Sequence, residues 1–476
     1  MGNSTQMSAK DRITALLDDN SFVEIGALVT KRNTDFDLQQ TDAPSDGVIT
    51  GYGLIDGSLV YVYSQDASVL HGTIGEMHAK KIVRLYDMAL KTGAPVVGLV
   101  DCAGLRLQEA TDALAGFGEV YFKQTLASGV IPQFTGVFGT CGGGSAVSAA
   151  LSDFTFMPKS NAKLFVNAPN TLDGNYVAKC DTAAAEYQAA CGVVDVVKED
   201  EAEVLAAIRT LVSVLPANNE AEAVVDNFDD LNRAVSFDAL AADPAKALAD
   251  LSDNNFYFEV KADHAKEMVT AFIKLDGMTV GAVANRTAVL DENGKATEKF
   301  DAVLTTEGCA KAERFVKFCD AFGLPVVTFT NVNGYKATVQ EEKGIAVAVA
   351  KLTAAFANAT VAKLNVIAGE AYGSTYITMN SKHIGADMVF AVEGAKIGMM
   401  DAGLAAQILA SDKNAEEKEA VKKSYEELQN SAVSAAKRGY VDAIVSADSL
   451  RQHLSYALGM LYSKREAQPA KKHSTI

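Results

Sequence analysis

At 476 residues, with 49% hydrophobic and 22% charged side chains, the chain is long enough for two domains whose cores need neither metal nor disulfide to fold. Its net charge of -17 repels polyanions, and apart from Lys80-Lys81 and Lys471-Lys472 no basic cluster offsets it, which excludes a nucleic-acid partner. The six cysteines (102, 141, 180, 191, 309 and 319) form no Cys-x-x-Cys pair, so zinc and disulfide frameworks are excluded and buried, reduced thiols are expected.

Met1-Gly2-Asn3 begins like an acylation signal, but Gln6 stands where Ser or Thr is needed. The N-terminus has no basic-then-apolar order, and no apolar run reaches the ~18 residues of a membrane helix, so a cytoplasmic protein is expected. Residues 7–17 predict an amphipathic helix capped by Ser8, ending in the turn 18–21. A polar surface loop is expected over 34–45. Residues 48–63 alternate around Asp56-Gly57 as a hairpin. A helix starting near His78 ends at Thr92-Gly93-Ala94-Pro95, a strand covers 96–100, and Gly129-Val130-Ile131-Pro132 leads to Gly142-Gly143-Gly144. The unit closes with Gly192-Val193-Val194-Asp195.

The same order then repeats. Residues 217–255 are acidic and alanine-rich and predict a helical connector, with domains at 1–225 and 226–476. A second hairpin over 268–283 turns at Asp276-Gly277, followed by a helix at 311–322 and a strand at 325–329. Residues 359–361 and 366–368 lead to Ala371-Tyr372-Gly373-Ser374, and Gly439-Tyr440-Val441-Asp442 closes the copy. Residues 415–437 read as a solvated helix face and 467–476 as a frayed basic tail. The duplication predicts two similar α/β units, with two like sites suited to handing a group from one bound molecule to another.

The glycine turns carry the chemistry. Glycine directly after a buried strand lets backbone N–H groups converge on one point, and a helix starting there adds its dipole. Residues 142–146 before a helical 147–151, and 372–376 before 377–380, both have this form. Two such oxyanion holes can carry a carbanion-type reaction, since one donor is worth about 3 kcal/mol of barrier. Close helix-strand packing also selects glycine, but the repetition favours function. Ser145 resembles a nucleophile, yet the nearest downstream histidine is His264 and no Asp-His pairing accompanies it. His71, His78 and His383 read as structural, no metal site is expected, and Glu76, Glu109 and Glu119 stay open as general acids.

Several stretches resemble the acyl-CoA carboxyltransferase family. These are Ser64-Gln65-Asp66, Gly75-Glu76-Met77-His78-Ala79-Lys80-Lys81-Ile82, Leu90-Lys91-Thr92-Gly93-Ala94-Pro95-Val96, and Leu126-Ala127-Ser128-Gly129-Val130-Ile131-Pro132. In the second half they are Arg314-Phe315-Val316-Lys317-Phe318-Cys319-Asp320-Ala321-Phe322, Ala371-Tyr372-Gly373, residues 379–387, and Lys437-Arg438-Gly439-Tyr440-Val441-Asp442. The family comprises carboxyltransferase subunits of biotin-dependent acyl-CoA carboxylases, of transcarboxylase, and of sodium-pumping acyl-CoA decarboxylases. The resemblance implies two tandem crotonase-like (ClpP/crotonase) α/β domains. It implies a coenzyme A thioester held by the first half and biotin held by the second half of a neighbouring subunit. Carried over residue by residue, the amides of Gly143 and Gly144 hold the thioester enolate, and those of Ser374 and Thr375 hold the biotin ureido oxygen beside Tyr372 and Gly373. Lys80, Lys81 and Arg106 are candidates for the CoA phosphates.

No Met-Lys-Met motif is present, so biotin must arrive on a biotin carboxyl carrier protein. The further partners implied are a biotin carboxylase or the membrane sodium-pump subunits of a decarboxylase, the latter placing a cytoplasmic chain at the membrane periphery. A homo-oligomer, hexamer or dimer, is implied too. Residues 379–390 and the acidic balance favour the decarboxylase branch. The alternatives are the beta subunit of an ATP-dependent acetyl- or propionyl-CoA carboxylase, a non-catalytic scaffold, and a crotonase-type hydratase, which needs two glutamates converging on the first glycine cluster. The chain departs from the family at residues 102–110, where Cys102-Ala103-Gly104-Leu105 replaces Ser-Gly-Gly-Ala, at Val332-Asn333-Gly334-Tyr335-Lys336, and at Ser374.

Overall fold

The computed structural model describes residues 6–33, 42–227, 229–235 and 240–469. Met1-Gly2-Asn3, most of the expected loop at 34–45, and the end of the basic tail, 470–476, lie outside them. The chain divides into two compact units, Met1–Glu222 and Ala223–Ile476.

Each unit is built on an eight-stranded mixed sheet. The first runs in the order Val23–Ile25, Val48–Ile55, Ser58–Gln65, Val96–Cys102, Gln133–Gly142, Phe154–Pro158, Val196–Lys198, with Lys163–Phe165 beside Gln133–Gly142. The second repeats it as Phe258–Val260, Met268–Leu275, Met278–Asn285, Val326–Val332, Lys363–Tyr372, Met388–Val392, Ala443–Val445, with Lys396–Gly398 beside Lys363–Tyr372. The hairpin ends are antiparallel and the rest is parallel. Val96–Cys102 and Val326–Val332 are buried along their whole length, as parallel strands covered on both faces must be.

Local chemistry explains the shared frame. Both hairpins turn on Asp-Gly with two positive φ values, 48° and 79° at Asp56-Gly57 and 51° and 78° at Asp276-Gly277, the turn whose twist matches the strands. Asp18 accepts from the Gly57 amide at 2.9 Å and Asp253 from the Gly277 amide at 2.7 Å. Arg209 binds Asp18 at 2.8 Å and Arg451 binds Asp253 at 2.6 Å, so each turn is clamped by the same carboxylate-guanidinium pair. The closing Val-Asp residues also match: Asp195 accepts from the Thr155 amide at 2.7 Å and Asp442 from the Val389 amide at 2.8 Å.

Ser8 caps the helix Ala9–Leu16 in a capping box with Asp11. The helix Glu76–Thr92 stops at Gly93, whose φ of 64° makes it a left-handed C-cap. Two expectations are corrected. Among the described residues of 217–255 only Leu240 and Pro244–Leu251 are α-helical, with a 3-10 turn at Asp253–Asn255 and a β-bridge from Val224 to Met278. All six cysteines are free, but Cys180 and Cys191 are exposed because they flank short surface helices rather than core strands.

Candidate active site

Each central strand carries a register shift just before its glycines. In the first unit it falls between Val100 and Cys102 opposite Gln133–Gly142, and in the second between Thr330 and Val332 opposite Lys363–Tyr372. Asp101 and Asn331 occupy the shifts and act as pegs. Asp101 Oδ1 accepts from the Thr140 amide at 3.1 Å, and Asn331 Oδ1 accepts from the Glu370 amide at 3.0 Å. A Cβ at Gly139 or Gly369 would overlap the peg's side chain, so glycine is required at both. Burial pushes the Asp101 carboxyl up, opposed by Arg12, whose guanidinium lies 3.7 Å away.

Beyond the peg the strands turn into the helices Gly144–Leu151 and Gly373–Thr378. Gly143, at φ 58° and ψ -122°, and Gly373, at φ 60°, supply the bend. A Cβ on Gly143 would meet nothing, so backbone conformation alone selects glycine there. A Cβ on Gly144 would lie 2.9 Å from Tyr121 Oη and 3.1 Å from the Phe117 ring, so close packing selects that one.

The Gly143 amide donates to the Phe165 carbonyl at 2.9 Å and belongs to the sheet. The expectation that Gly143 is one of two open donors is therefore corrected. The amides of Gly144 and Ser145, first in their helix, have no intrahelical acceptor. Parallel pairing of Gly142 with Phe165 matches that of Tyr372 with Gly398, so Gly144 and Ser145 correspond to Ser374 and Thr375. Those two amides, second and third in their helix, lack an intrahelical acceptor as well. Ser374 accepts its Cβ because the left-handed φ falls one residue earlier, on Gly373. Tyr372, Gly373, Ser374 and Thr375 come together with Tyr335 and Glu370 around an open cavity of about 380 Å³. Burial raises the pKa of the Tyr372 phenol.

Of the three cations expected at phosphates, the structure leaves one at the surface. Lys80 is exposed, its ammonium 2.6 Å from Glu76. Lys81 is buried and donates to the carbonyls of Ser45, at 3.2 Å, and Val48, and to the Ser45 hydroxyl. Burial pushes its pKa down to about 8. Lys311 is its counterpart, donating to the carbonyls of Lys261 at 2.8 Å and His264 at 2.9 Å. Arg106 is 1% exposed and bound to Asp46 at 2.6 Å and Glu109 at 2.8 Å. Lys81 and Arg106 are thus corrected to structural cations, because the fold surrounds them with acceptors.

The alternatives lose their geometry. Ser145 Oγ donates to Cys102 Sγ at 3.2 Å rather than to a histidine. Glu109 is spent on Arg106 and on the Glu76 amide at 2.7 Å, and Glu76 on Lys80 and Arg32, so two acids do not converge on the first glycines. Among the described residues no cluster of side chains could hold a metal ion.

His78 is fully buried between Gln65, 3.1 Å from Nε2, and the Asp46 carbonyl, 2.9 Å from Nδ1. Burial holds its pKa down at about 3, from 6.5. The unfolded chain takes up this proton first, so stability is complete above pH 6.5 and falls as the pH drops toward 3. Denaturant titrations between pH 6.5 and 4.5 should show a loss of about 1.4 kcal/mol per pH unit from this group, absent in His78→Asn. An unchanged pH slope in that variant would contradict the assignment.

A sequence model of the carboxyl transferase domain matches residues 3–476. The chain is 39% identical to the methylmalonyl-CoA decarboxylase subunit alpha of Veillonella parvula, over 99% of this chain and 93% of that protein. It is 39% identical to the propionyl-CoA carboxylase beta chain of Roseobacter denitrificans, over 99% and 94%. The crystal structure of the transcarboxylase 12S hexamer with hydrolysed methylmalonyl-coenzyme A superposes at a TM-score of 0.91 and 35% identity, covering 99% of this chain and 92% of that one. The two α/β units are crotonase-like, as the resemblance implied. With matches that run from end to end, the chain belongs to the carboxyl transferase domain family.

Proposed function

We propose that the chain is a carboxyltransferase subunit that moves a carboxyl group between a short malonyl-type acyl-CoA and biotin carried by a partner chain, in a biotin-dependent decarboxylase complex. The observation that carries this reading is the repetition, residue for residue, of a pegged strand end followed by two helix amides with no intrahelical acceptor. Gly144 and Ser145 form one pair, Ser374 and Thr375 the other. The first pair receives the thioester oxygen, where negative charge grows as the α-carbon gains or loses its carboxyl group. The second serves a urea oxygen. Biotin, when bound, supplies a ureido nitrogen that carries the carboxyl group. The residues fit it, since the cavity of about 380 Å³ beside Ser374 and Thr375 has room for a small bicyclic ring.

The CoA side is assigned to the first unit and the biotin side to the second, with Lys80 the exposed cation for a CoA phosphate. No protein nucleophile is required, which agrees with Ser145 being turned to Cys102. The transcarboxylase core named above is a hexamer, and we assign a homo-oligomer of that kind here. Partners are a biotin carboxyl carrier protein and membrane decarboxylase subunits. Among the described residues no helix is long and apolar enough to cross a membrane, so attachment to one would run through those partners.

Purified chain given methylmalonyl-CoA and free biotin should form carboxybiotin and propionyl-CoA. Reconstituted with a membrane partner, it should decarboxylate in a sodium-dependent way. A chain that binds both substrates and transfers no carboxyl group would contradict the proposal.

A further inference from the structure

The second cavity contains two hydroxyls that the first unit lacks. Tyr335 Oη and Ser374 Oγ lie 2.7 Å apart on its wall. The bridge between Ile74 and Leu105 corresponds to the pairing of Leu304 with Tyr335, so the matching positions in the first unit are Leu105 and Gly144, neither bearing a hydroxyl. The two hydroxyls carry two protons, and their mutual bond uses one. Neither makes another hydrogen bond among the described residues. Whichever of them donates, one O–H is left over at the cavity wall.

The same wall carries acceptors. Glu370 contributes a carboxylate, of which Oε2 accepts from the Asn333 side-chain Nδ2 at 3.2 Å, and Asp401 lies nearby. Two carboxylates repel an anionic ligand such as a phosphate. A neutral group presenting both a carbonyl oxygen and N–H donors matches a leftover O–H beside a carboxylate. A cyclic urea is such a group.

We propose that the Tyr335-Ser374 pair is a side-chain donor to the carbonyl oxygen of a cyclic urea, the ureido ring of biotin, with Glu370 facing a ring N–H. This rests on the carboxyltransferase reading and deepens it. The pair transfers no proton and donates one hydrogen bond, to an oxygen that becomes more negative during carboxyl transfer. The two departures from the family's usual residues, at 335 and 374, are therefore one feature.

The test is a ligand-observed NMR titration of the full chain with 2-imidazolidone and with free biotin. The double variant, Tyr335→Phe with Ser374→Ala, should weaken binding about tenfold, as for a hydrogen bond to a polarised acceptor, and each single variant, which keeps one O–H, should lose less than the double. Affinity for propionyl-CoA should not change in any variant, which shows that the fold is retained. Equal urea affinity in wild type and the double variant would overturn this inference alone. A wild-type chain that binds neither ring would overturn the carboxyltransferase reading along with it.

Discussion

Ser374→Pro is expected to lower kcat for carboxyl transfer to biotin by about 100- to 1,000-fold, the usual cost of losing one oxyanion donor. Proline lacks an N–H, and its fixed φ suits the first turn of a helix, where no intrahelical bond is lost. Ser374 is the second residue of Gly373–Thr378 and follows a glycine, the residue best able to absorb the restriction a proline imposes on its predecessor. The amide is thus removed with little cost to the fold. Ser374→Ala is the control, because it deletes the hydroxyl and keeps the amide. The proline variant should be at least tenfold slower than the alanine variant, with KM for the acyl-CoA unchanged in both. Equal rates would mean that the Ser374 amide is not a donor.

Asn331→Ala should cost about 3 kcal/mol of stability and about 100-fold in the same reaction. Asn331 is buried, accepts from the Glu370 amide at 3.0 Å and donates to the Ala241 carbonyl at 2.8 Å. Alanine leaves both groups without a partner. It also opens the gap beside Gly369, so the strand that leads into Gly373 can shift, and a displacement on the order of 1 Å is enough for a loss of that size. Asn331→Asp should recover most of the rate, since Asp101 does the same work in the first unit at 3.1 Å from the Thr140 amide. Urea unfolding midpoints and single-turnover transfer to biotin would measure both effects. Full activity in a less stable Asn331→Ala would show that the peg holds the fold without placing the site.

The duplication, the Asp-Gly hairpins and the glycine turns were legible because each depends on a local requirement, φ above zero or a capped strand end, that few residues can meet. In the first unit the sequence does not reveal that Gly143 is excluded as a donor. Three consecutive glycines look alike in sequence, while only the pairing of Gly142 with Phe165 shows that Gly143 gives its hydrogen to the sheet. Lys81 and Arg106 were misread because a charge looks exposed until the fold is known to surround it with carbonyls and carboxylates. A signal did exist for Lys81: Lys311 repeats it at the interval that separates Gly143 from Gly373, and a cation present in both halves cannot be particular to the half proposed for CoA. Asp101 and Asn331 escaped notice since they differ in charge and share only the geometry of their Oδ1 atoms. The contact between Tyr335 and Ser374 joins residues far apart in the chain, and only the cavity reveals it.

The most direct test is a high-resolution structure of the chain with a non-hydrolysable methylmalonyl-CoA analogue. The thioester-type oxygen should lie within about 3 Å of both the Gly144 and Ser145 amides. An oxygen held elsewhere, with those two amides facing only water, would contradict the account.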